Sequence, residues 1–231
     1  MGSLLAGALA HAQRFLLEPE AARKPLRTGE PHLAAFEPEH LEVGVLGLSR
    51  RCGASTVARG LALALSVPGA RSSHVIAVSP RAGSSTAGGS TGGVSQWDVP
   101  PSLVDSTEIA EYGRMVARLA GRPAAHVWDI DPSRVERAAL VIGQMDRVLA
   151  VADGTGEPSL AELVTDMLSE RFGNVLLVAN RARDAERWDR RAIACLPESR
   201  IAAALVARGR RPGGAYWAAL SELRALVEGA R

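Results

Sequence analysis

The sequence predicts a doubly wound α/β domain, in which a mostly parallel sheet carries helices on both faces. Five short apolar runs begin near Val43, His74, His126, Arg147 and Asn174. Segments with apolar residues at helical spacing follow most of these runs. Apolar strands that alternate with helices are typical of parallel sheets whose two faces are both covered. Sheets of this class bind ligands at the carboxyl ends of their strands.

The first strand, the turn after it and the next helix form the most informative stretch. A buried strand is predicted over 43–48, and a helix is predicted from Val57 onward. Gly53, Ser55 and Thr56 lie at the turn between them. This order is typical of a phosphate-binding loop. In such a loop, backbone N–H groups and the start of a helix face an anion, and a hydroxyl holds Mg²⁺.

The loop departs from the strict phosphate-loop pattern, which is G-x-x-x-x-G-K-[ST]. Gly47 stands one residue too early relative to Gly53, and Ala54 occupies the lysine position. Lys24 is the only lysine in an arginine-rich chain. That bias does not account for Ala54, because a biased genome still supplies a lysine that catalysis requires. The frame of the loop is present and its cation is missing.

The stretch resembles the deviant Walker A loop of the ParA/MinD family of dimeric ATPases, whose pattern is x-K-G-G-x-G-K-[ST]-[ST]. Gly53, Ser55 and Thr56 match this pattern. The departures are Ser49 at the signature lysine, Arg50 and Arg51 at the paired glycines, and Ala54 at the second lysine. The resemblance implies a degenerate nucleotide site formed by these seven residues.

Further matches in the same order extend the resemblance over residues 43–228. The strand that ends in Asp129 resembles the Walker B segment, which implies that Ser55 and Asp129 hold Mg²⁺ if a nucleotide binds. Asn180 ends a later strand, where the family has an asparagine for the adenine edge. Pro197 lies in a segment similar to the family's loop beside the adenine. The implied fold is that of the phosphate-loop NTPases.

A second catalytic part of the family is missing. The family's second strand ends with an aspartate that helps position the attacking water, whereas no Asp or Glu occurs between Leu65 and Gln96. Residues 82–95 are rich in glycine and serine, which predicts a flexible segment without core-forming residues. The distance to the next strand is short for the family. This predicts the loss of one strand–helix element.

The remaining elements follow from apolar periodicity. Helices are predicted over 105–119, 133–144, 159–171 and 216–228. The predicted buried stripe of the third of these consists of Leu160, Leu163, Val164, Met167 and Leu168. The last helix has apolar positions at Trp217, Leu220, Leu223, Leu226 and Val227. The segment from 196 to 212 is predicted as a loop.

Three segments are predicted: an N-terminal helix over 1–17, an extended linker over 18–40 and the α/β domain over 41–231. The helix has one apolar face and three open roles. It packs on its own domain, docks on a partner or second subunit, or lies in a membrane interface. A membrane-surface helix favours basic residues along its polar face, and only Arg14 lies there. Direct membrane contact is therefore not expected.

Composition limits the class of protein. The net charge of +2 in 231 residues does not by itself predict nucleic-acid binding. Cys52 and Cys195 have neither metal-ligand spacing nor a disulfide framework. No apolar stretch is long enough to span a bilayer, and a secretory signal pattern is missing. These features predict a cytoplasmic bacterial protein that reaches a pole, septum or membrane complex through partners.

The missing lysines and aspartate predict a pseudo-ATPase of the ParA/MinD type. The expected role is a homodimeric scaffold or positioning factor for a bacterial assembly, such as pilus or secretion, division or segregation machinery. Members with poor Walker A loops resemble the TadZ/CpaE branch and related septum-site regulators. Protein partners are expected to bind in part through residues 3–17. No cofactor is required by this hypothesis.

Two alternatives stay open at this point. In the first, Arg50 or Arg51 replaces the lysines, and the protein is a dimerisation switch that binds ATP or ADP with Mg²⁺ and hydrolyses ATP slowly. The same two arginines instead fill the site in the leading hypothesis. In the second alternative the protein binds DNA through arginines. The candidates are Arg187, Arg190, Arg191, Arg208, Arg210 and Arg211.

Overall fold

The computed structural model describes residues 41–66, 71–78, 90, 91, 94–99, 112, 115, 124–135 and 138–229. The strands are β1 (Leu41–Gly47), β2 (Ser72–Val78), β3 (Ser90–Thr91), β4 (Val94–Asp98), β5 (Ala124–Ile130), β6 (Arg147–Asp153), β7 (Val175–Ala182) and β8 (Ala194–Pro197). They form one sheet in the order β3-β4-β2-β5-β1-β6-β7-β8. All pairs are parallel except β3 with β4. The predicted doubly wound, mostly parallel α/β fold is confirmed.

The described helices begin and end at residues suited to those positions. They are α1 (Ala54–Leu65), α2 (Ala139–Ile142), α3 (Pro158–Phe172), α4 (Arg200–Ala207) and α5 (Gly214–Glu228). Pro158 opens α3, where a missing N–H breaks no helical hydrogen bond. Ser199 caps α4, because its hydroxyl accepts a hydrogen bond from the Ala202 N–H at 3.1 Å. Short 3₁₀ turns lie at Pro132–Arg134 and Glu186–Trp188.

One face of the sheet packs against α1, α4 and α5. Alternate residues of the central strands, such as Val43 and Val45 of β1, are fully buried in this layer. The alternation follows from the pleat, which points successive side chains to opposite faces. Helices α1 and α5 approach closely at Gly60, where an added Cβ would lie 2.9 Å from Leu220 Cδ1. This layer places the start of α1 directly against the central strands.

The opposite face carries a buried polar chain near the start of the central strands. The carboxylate of Glu42 accepts hydrogen bonds from Trp128 Nε1 at 2.7 Å and His126 Nδ1 at 2.5 Å. The backbone N–H of Glu42 donates to an Asp146 carboxylate oxygen at 2.8 Å. The ring of His74 lies 5.5 Å from that of His126. These bonds offset the cost of burying a carboxylate and connect β1 to β5.

The chain between β2 and β5 differs from the prediction. Strands β3 and β4 lie within 90–98, and β4 pairs in parallel with β2, so that Asp98 stands level with Ala77. The predicted loss of a strand in this region is wrong. The five residues Val-Ser-Gln-Trp-Asp are too short for their alternation to stand out after a Gly/Ser-rich run. The other residues of 82–95 lie outside the described part of the chain.

Two more predictions are corrected. The helix predicted over 133–144 is a 3₁₀ turn followed by the short helix α2, among the residues described there. Asp131 accounts for the turn, because its carboxylate accepts a hydrogen bond from the Ser133 N–H at 2.9 Å. The predicted loop over 196–212 contains the end of β8 and all of α4. The capping serine of α4 is the local signal that was missed.

Helix α3 buries a different set of residues from the predicted stripe, of which Leu168 alone is buried. Its buried residues are Pro158, Ala161, Thr165 and Leu168. Leu163 of the predicted stripe is 56% exposed, and Leu160, Val164 and Met167 are half-buried. The Thr165 hydroxyl donates to the Ala161 carbonyl oxygen at 2.8 Å, which satisfies it within the helix. The small residues of this face let the helix approach β7, and tertiary packing overrides the apolar pattern.

The last helix is close to its prediction. Leu220, Leu223 and Val227 are buried, whereas Leu226 is 44% exposed. The predicted helix over 3–17, the linker over 18–40 and most of the helix over 105–119 lie outside the described residues. Tyr112 and Met115 of the last of these are helical. No described helix is both long and apolar enough to cross a membrane.

Tyr216 gives a test of this packing. Its hydroxyl is buried without a hydrogen-bond partner among the described residues, and burial raises its pKa to about 12 from 10.0. A tyrosine whose folded pKa lies above its unfolded value contributes stability below pH 10, which is lost as the pH rises through 12. At strongly alkaline pH we expect the wild type to lose up to roughly 2–3 kcal/mol of its free energy of unfolding. The Tyr216→Phe variant should not show this loss, because it has no hydroxyl to ionise.

The measurement is urea unfolding of both proteins at several pH values. At neutral pH the variant is expected to be at least as stable as the wild type, because an unsatisfied buried hydroxyl is removed. Parallel stability curves between neutral and strongly alkaline pH would contradict the prediction.

Candidate functional site

The candidate site lies at the carboxyl edge of the central sheet. Strands β1, β5, β6 and β7 all end there, and α1 begins there after the loop 48–53. Parallel strands bring their carboxyl ends to one edge, so residues distant in sequence become neighbours. The structure brings the loop residues together with Asp129, Asn180 and Asp153 at this edge.

The loop turns sharply through two residues in the left-handed region. Arg51 has φ 63° and Gly53 has φ 86°. Gly53 is the residue before α1, and its carbonyl oxygen accepts from the N–H groups of Thr56 and Val57 at 2.9 and 3.0 Å. The Leu48 N–H donates to the Val151 carbonyl oxygen at 2.9 Å, which fixes the other end of the loop on β6. The backbone frame of a phosphate loop is therefore formed.

Two side chains at the end of β7 hold the carbonyl side of this loop. Asn180 is 3% exposed, and its Nδ2 donates to the Cys52 carbonyl oxygen at 2.8 Å. Arg181 Nη2 donates to the Arg51 carbonyl oxygen at 2.7 Å and also forms an ion pair with Asp153. The loop position is thus set by bonds within the protein.

Asn180 also packs directly on Gly53. A Cβ added to Gly53 would lie 2.3 Å from Asn180 Nδ2, a distance that no real contact allows. Asn180 is level with Asp153 of β6, and Pro197 of β8 lies on the strand beyond. The predicted adenine residues Asn180 and Pro197 are therefore near neighbours at one edge. The adenine role of both stays a prediction.

The predicted magnesium residues meet as expected in space. The Ser55 side chain lies close enough to the half-buried Asp129 carboxyl, at the end of β5, to favour the charged form of that carboxyl. Burial raises the pKa of Asp129, while the neighbouring Ser55 hydroxyl and the positive charge of Arg59 oppose this rise. The negative charges of Asp131 and Asp98 raise the pKa of Asp129 further.

The charges around this loop are distributed differently from those of a phosphate loop that carries a lysine. Arg50 and Arg51 are exposed, Ser49 is half-buried, and Ala54 packs against the core. Burial raises the pKa of the Cys52 thiol, whose sulfur would lie 2.9 Å from a Cβ added at Gly47. Cys52 is therefore a packing residue under the loop. The described loop presents exposed arginines at its rim and no cation at the lysine position.

Three relevant residues were not singled out from the sequence. Arg59 and Asp98 act on Asp129, and Arg181 holds the loop. The sequence contains one local indication for Arg59, which is the only charged residue in α1. It contains none for Asp98, because the position of Asp98 depends on the pairing of β4 with β2.

No family model matches the sequence, and no curated protein matches it. Several solved structures do match the fold. A ParA family ATPase from Chlorobium tepidum has a TM-score of 0.52 at 13% identity, over 83% of this chain and 98% of its own. The MinC:MinD cell division complex of Aquifex aeolicus contains a chain with a TM-score of 0.58 at 14% identity, over 81% of this chain and 96% of its own.

A third match carries a nucleotide analogue. This Borrelia burgdorferi structure, described as a plasmid partition protein bound to AMPPNP, has a TM-score of 0.55 at 10% identity. It covers 82% of this chain and 99% of its own. The fold is that of the ParA/MinD ATPases. Identities this low show the fold alone, and the chemistry of the site depends on the residues of this chain.

The donor set at this edge matches a magnesium–nucleotide site only in part. Ser55 and Asp129 supply one hydroxyl and one carboxylate, which suit Mg²⁺. The charge of Arg59 already acts on that carboxylate, and Ala54 offers the phosphates no cation. Asn180 donates its amide to the loop. The geometry keeps the frame of the site but not the charge balance that Mg²⁺ and a nucleotide require together.

The contact of Gly53 with Asn180 predicts a measurable coupling. Gly53→Ala places a Cβ in the left-handed region, which costs about 1–2 kcal/mol, and drives it into Asn180. We expect a total loss of at least about 2 kcal/mol in the free energy of unfolding. Adding Asn180→Ala relieves the clash, so the double variant should lose less than the sum of the two single variants.

Urea unfolding of the four proteins measures this cycle. Gly213→Ala is a matched control, because Gly213 has φ −102° and no atom within 4 Å of an added Cβ. Additive losses, or equal losses at positions 53 and 213, would contradict the described contact.

Proposed function

We propose that this protein is a pseudo-ATPase with the ParA/MinD fold, whose role does not depend on ATP hydrolysis. The observation that carries the proposal is the phosphate loop itself. Its backbone frame is formed, yet Ala54 stands at the lysine position and the loop's two arginines are exposed. Phosphoryl transfer depends mainly on positioning and charge neutralisation. Loss of one preorganised group commonly costs about a hundredfold or more in rate.

The second element of the proposal is a scaffold or positioning role in a bacterial assembly. The matched structures include a MinC:MinD cell division complex and a protein described as a plasmid partition protein. By analogy of fold, this chain forms a homodimer and recruits protein partners of division, segregation, pilus or secretion machinery. Residues 3–17 provide one partner-binding segment. The protein acts in the cytoplasm and reaches a pole, septum or membrane complex through those partners.

A nucleotide switch is the second candidate. It is favoured by the exposed side chains of Arg50 and Arg51 in the loop and of Ser55 in the first turn of α1. An arginine at the rim is able to grip a phosphate by two hydrogen bonds. In this candidate ATP or ADP binds with Mg²⁺ through Ser55 and Asp129, and turnover is slow.

The structure gives the DNA hypothesis little support. Three of its six arginines have partners in the protein. Arg187 lies 3.7 Å from Glu157, Arg191 lies 3.2 Å from Glu162, and the Arg211 guanidinium lies 4.1 Å from the ring centre of Trp217. Pairing with carboxylates reduces the positive potential that a phosphate backbone requires. We therefore do not propose DNA binding.

Nucleotide titration separates the two candidates. For the full chain we expect no heat of binding and no change in melting temperature with millimolar ATP or ADP, with or without Mg²⁺. A ligand that binds only the folded state must raise the melting temperature. A magnesium-dependent rise that is lost in an Arg50→Ala/Arg51→Ala variant would overturn the proposal and establish the switch.

Ala54→Lys is the matched positive control. It restores a lysine to the formed loop, so this variant is expected to bind ATP more tightly than the wild type. A parallel assay of phosphate release should stay at background for the wild type. Measurable turnover abolished by Asp129→Ala would contradict the pseudo-ATPase assignment.

A further inference from the structure

Helix α3 leaves most of its apolar stripe outside the core. The stripe has the spacing i, i+3, i+4 and i+7, and it consists of Leu160, Leu163, Val164 and Met167. Residues at this spacing lie on one face of a helix. Leu163 is 56% exposed, and the other three are half-buried. Single exposed apolar residues are ordinary on a protein surface, whereas a row of four on one helix face is typical of a contact surface.

A row of carboxylates borders this stripe. Glu162, Asp166 and Glu170 follow one another at i, i+4 and i+8, a spacing at which like charges repel each other. In the described part of the chain, Glu162 is the one of the three with an ion pair, to Arg191 at 3.2 Å. Asp166 and Glu170 are exposed, and Arg171, the only base of α3, lies over the ring of the residue after it. We call the four apolar and the three acidic residues the acidic face of α3.

Helix α4 has an outer face of the opposite charge. Ile201 is 77% exposed, which is the largest exposed fraction among the large apolar side chains that the structure describes. The same face carries Ala204, Leu205 and Arg208 at helical spacing, and of these only Leu205 is half-buried. Arg200, at the start of the helix, is exposed as well. We call these five residues the basic face of α4.

The acidic residue nearest to the basic face in sequence does not cancel its charge. Glu198 lies two residues before α4, and its carboxylate accepts a hydrogen bond from Arg183 Nε at 2.5 Å. Arg200 and Arg208 form no ion pair with any of the described residues. One chain thus carries two helix faces with apolar centres and with charges of opposite sign.

The two faces lie on opposite sides of the sheet. Ala161 of α3 packs in one core cluster with Leu177 of β7, whereas Val206 of α4 packs in the cluster that contains Val178. Successive residues of a strand point to opposite faces of a sheet. The acidic face and the basic face of one molecule therefore cannot touch each other.

We propose that the acidic face of α3 binds the basic face of α4 in a second copy of this protein. The apolar side chains of the two helices pack at the centre of the contact, and the carboxylates and arginines pair at its border. The contact joins two different surfaces, so a pair of copies still has one free face of each kind. Contacts of this type continue into an open chain of copies unless the rotation between copies closes a ring.

This inference goes beyond the proposed function and does not rest on it. Neither face contains a residue of the loop 48–53, and the tests use no nucleotide. A dimer formed through other surfaces would persist when either face is changed. Failure of the inference is therefore distinguishable from failure of the pseudo-ATPase proposal, which the nucleotide titration tests.

Charge reversal on each face tests the contact. The first variant is Asp166→Arg/Glu170→Arg, which also removes the repulsion from Glu162 within α3. The second is Arg200→Glu/Arg208→Glu. In sedimentation velocity, the full-length wild type should form assemblies larger than a dimer, more so at about 50 mM than at about 500 mM salt. Each variant should associate at least about tenfold more weakly, because like charges then face each other.

A variant that combines all four substitutions identifies the two partners of the contact. Its charges are exchanged between the faces, so it should associate like the wild type. A contact between two α3 helices or two α4 helices would not be restored, because its charges would still be alike. Glu222→Arg, an exposed charge of α5 outside both faces, is the matched control and should change nothing.

A second pair of variants leaves every charge in place. Leu163→Gln and Ile201→Gln each polarise the centre of one face at an exposed position, and each should weaken the association while the melting temperature stays unchanged. They decide the matter if a charge-reversed protein fails to fold. The inference is overturned by a wild type that never exceeds a dimer, by variants that associate like the wild type, or by a folded combined variant that does not regain association.

Discussion

The bond between Asn180 and the loop carbonyl of Cys52 is the contact on which the arrangement of the site depends. It joins the end of β7 to the loop between β1 and α1, and Arg181 adds a second bond to the carbonyl of Arg51. Gly53 must lack a side chain to let Asn180 approach. The start of α1, and with it Ser55, is therefore placed by interactions within the protein.

Charge at the site follows the same principle of internal compensation. Asp153 forms an ion pair with Arg181. The positive charge of Arg59 opposes the rise that burial causes in the pKa of Asp129. An enzyme that transfers phosphoryl groups leaves its cations directed at the substrate, because charge develops there in the transition state. In this protein Arg181 is directed at a carboxylate and a carbonyl of the protein itself, those of Asp153 and Arg51. Under the proposed function, the fold of an ATPase serves assembly rather than hydrolysis.

Much of the fold and part of the site were predictable, because their signals are local in sequence. Short apolar strands alternating with helices suffice for a parallel sheet, and Gly53 followed by Ser55 marks the start of α1. The proximity of Ser55 to Asp129 was predictable as well, because parallel strands all end at the same edge of the sheet. Signals failed where elements are short or lie in low-complexity sequence, as with β4 and the 3₁₀ turn before α2.

The sequence by itself determined the doubly wound sheet, the position of the loop and the absence of its lysines, because these depend on residue type and short-range spacing. Only the tertiary structure decided which face of α3 is buried, where the Asn180 amide donates, and that β4 pairs with β2. The physical reason is that these relations join separate elements. Strand register and helix packing set them, and neither is encoded by a local pattern.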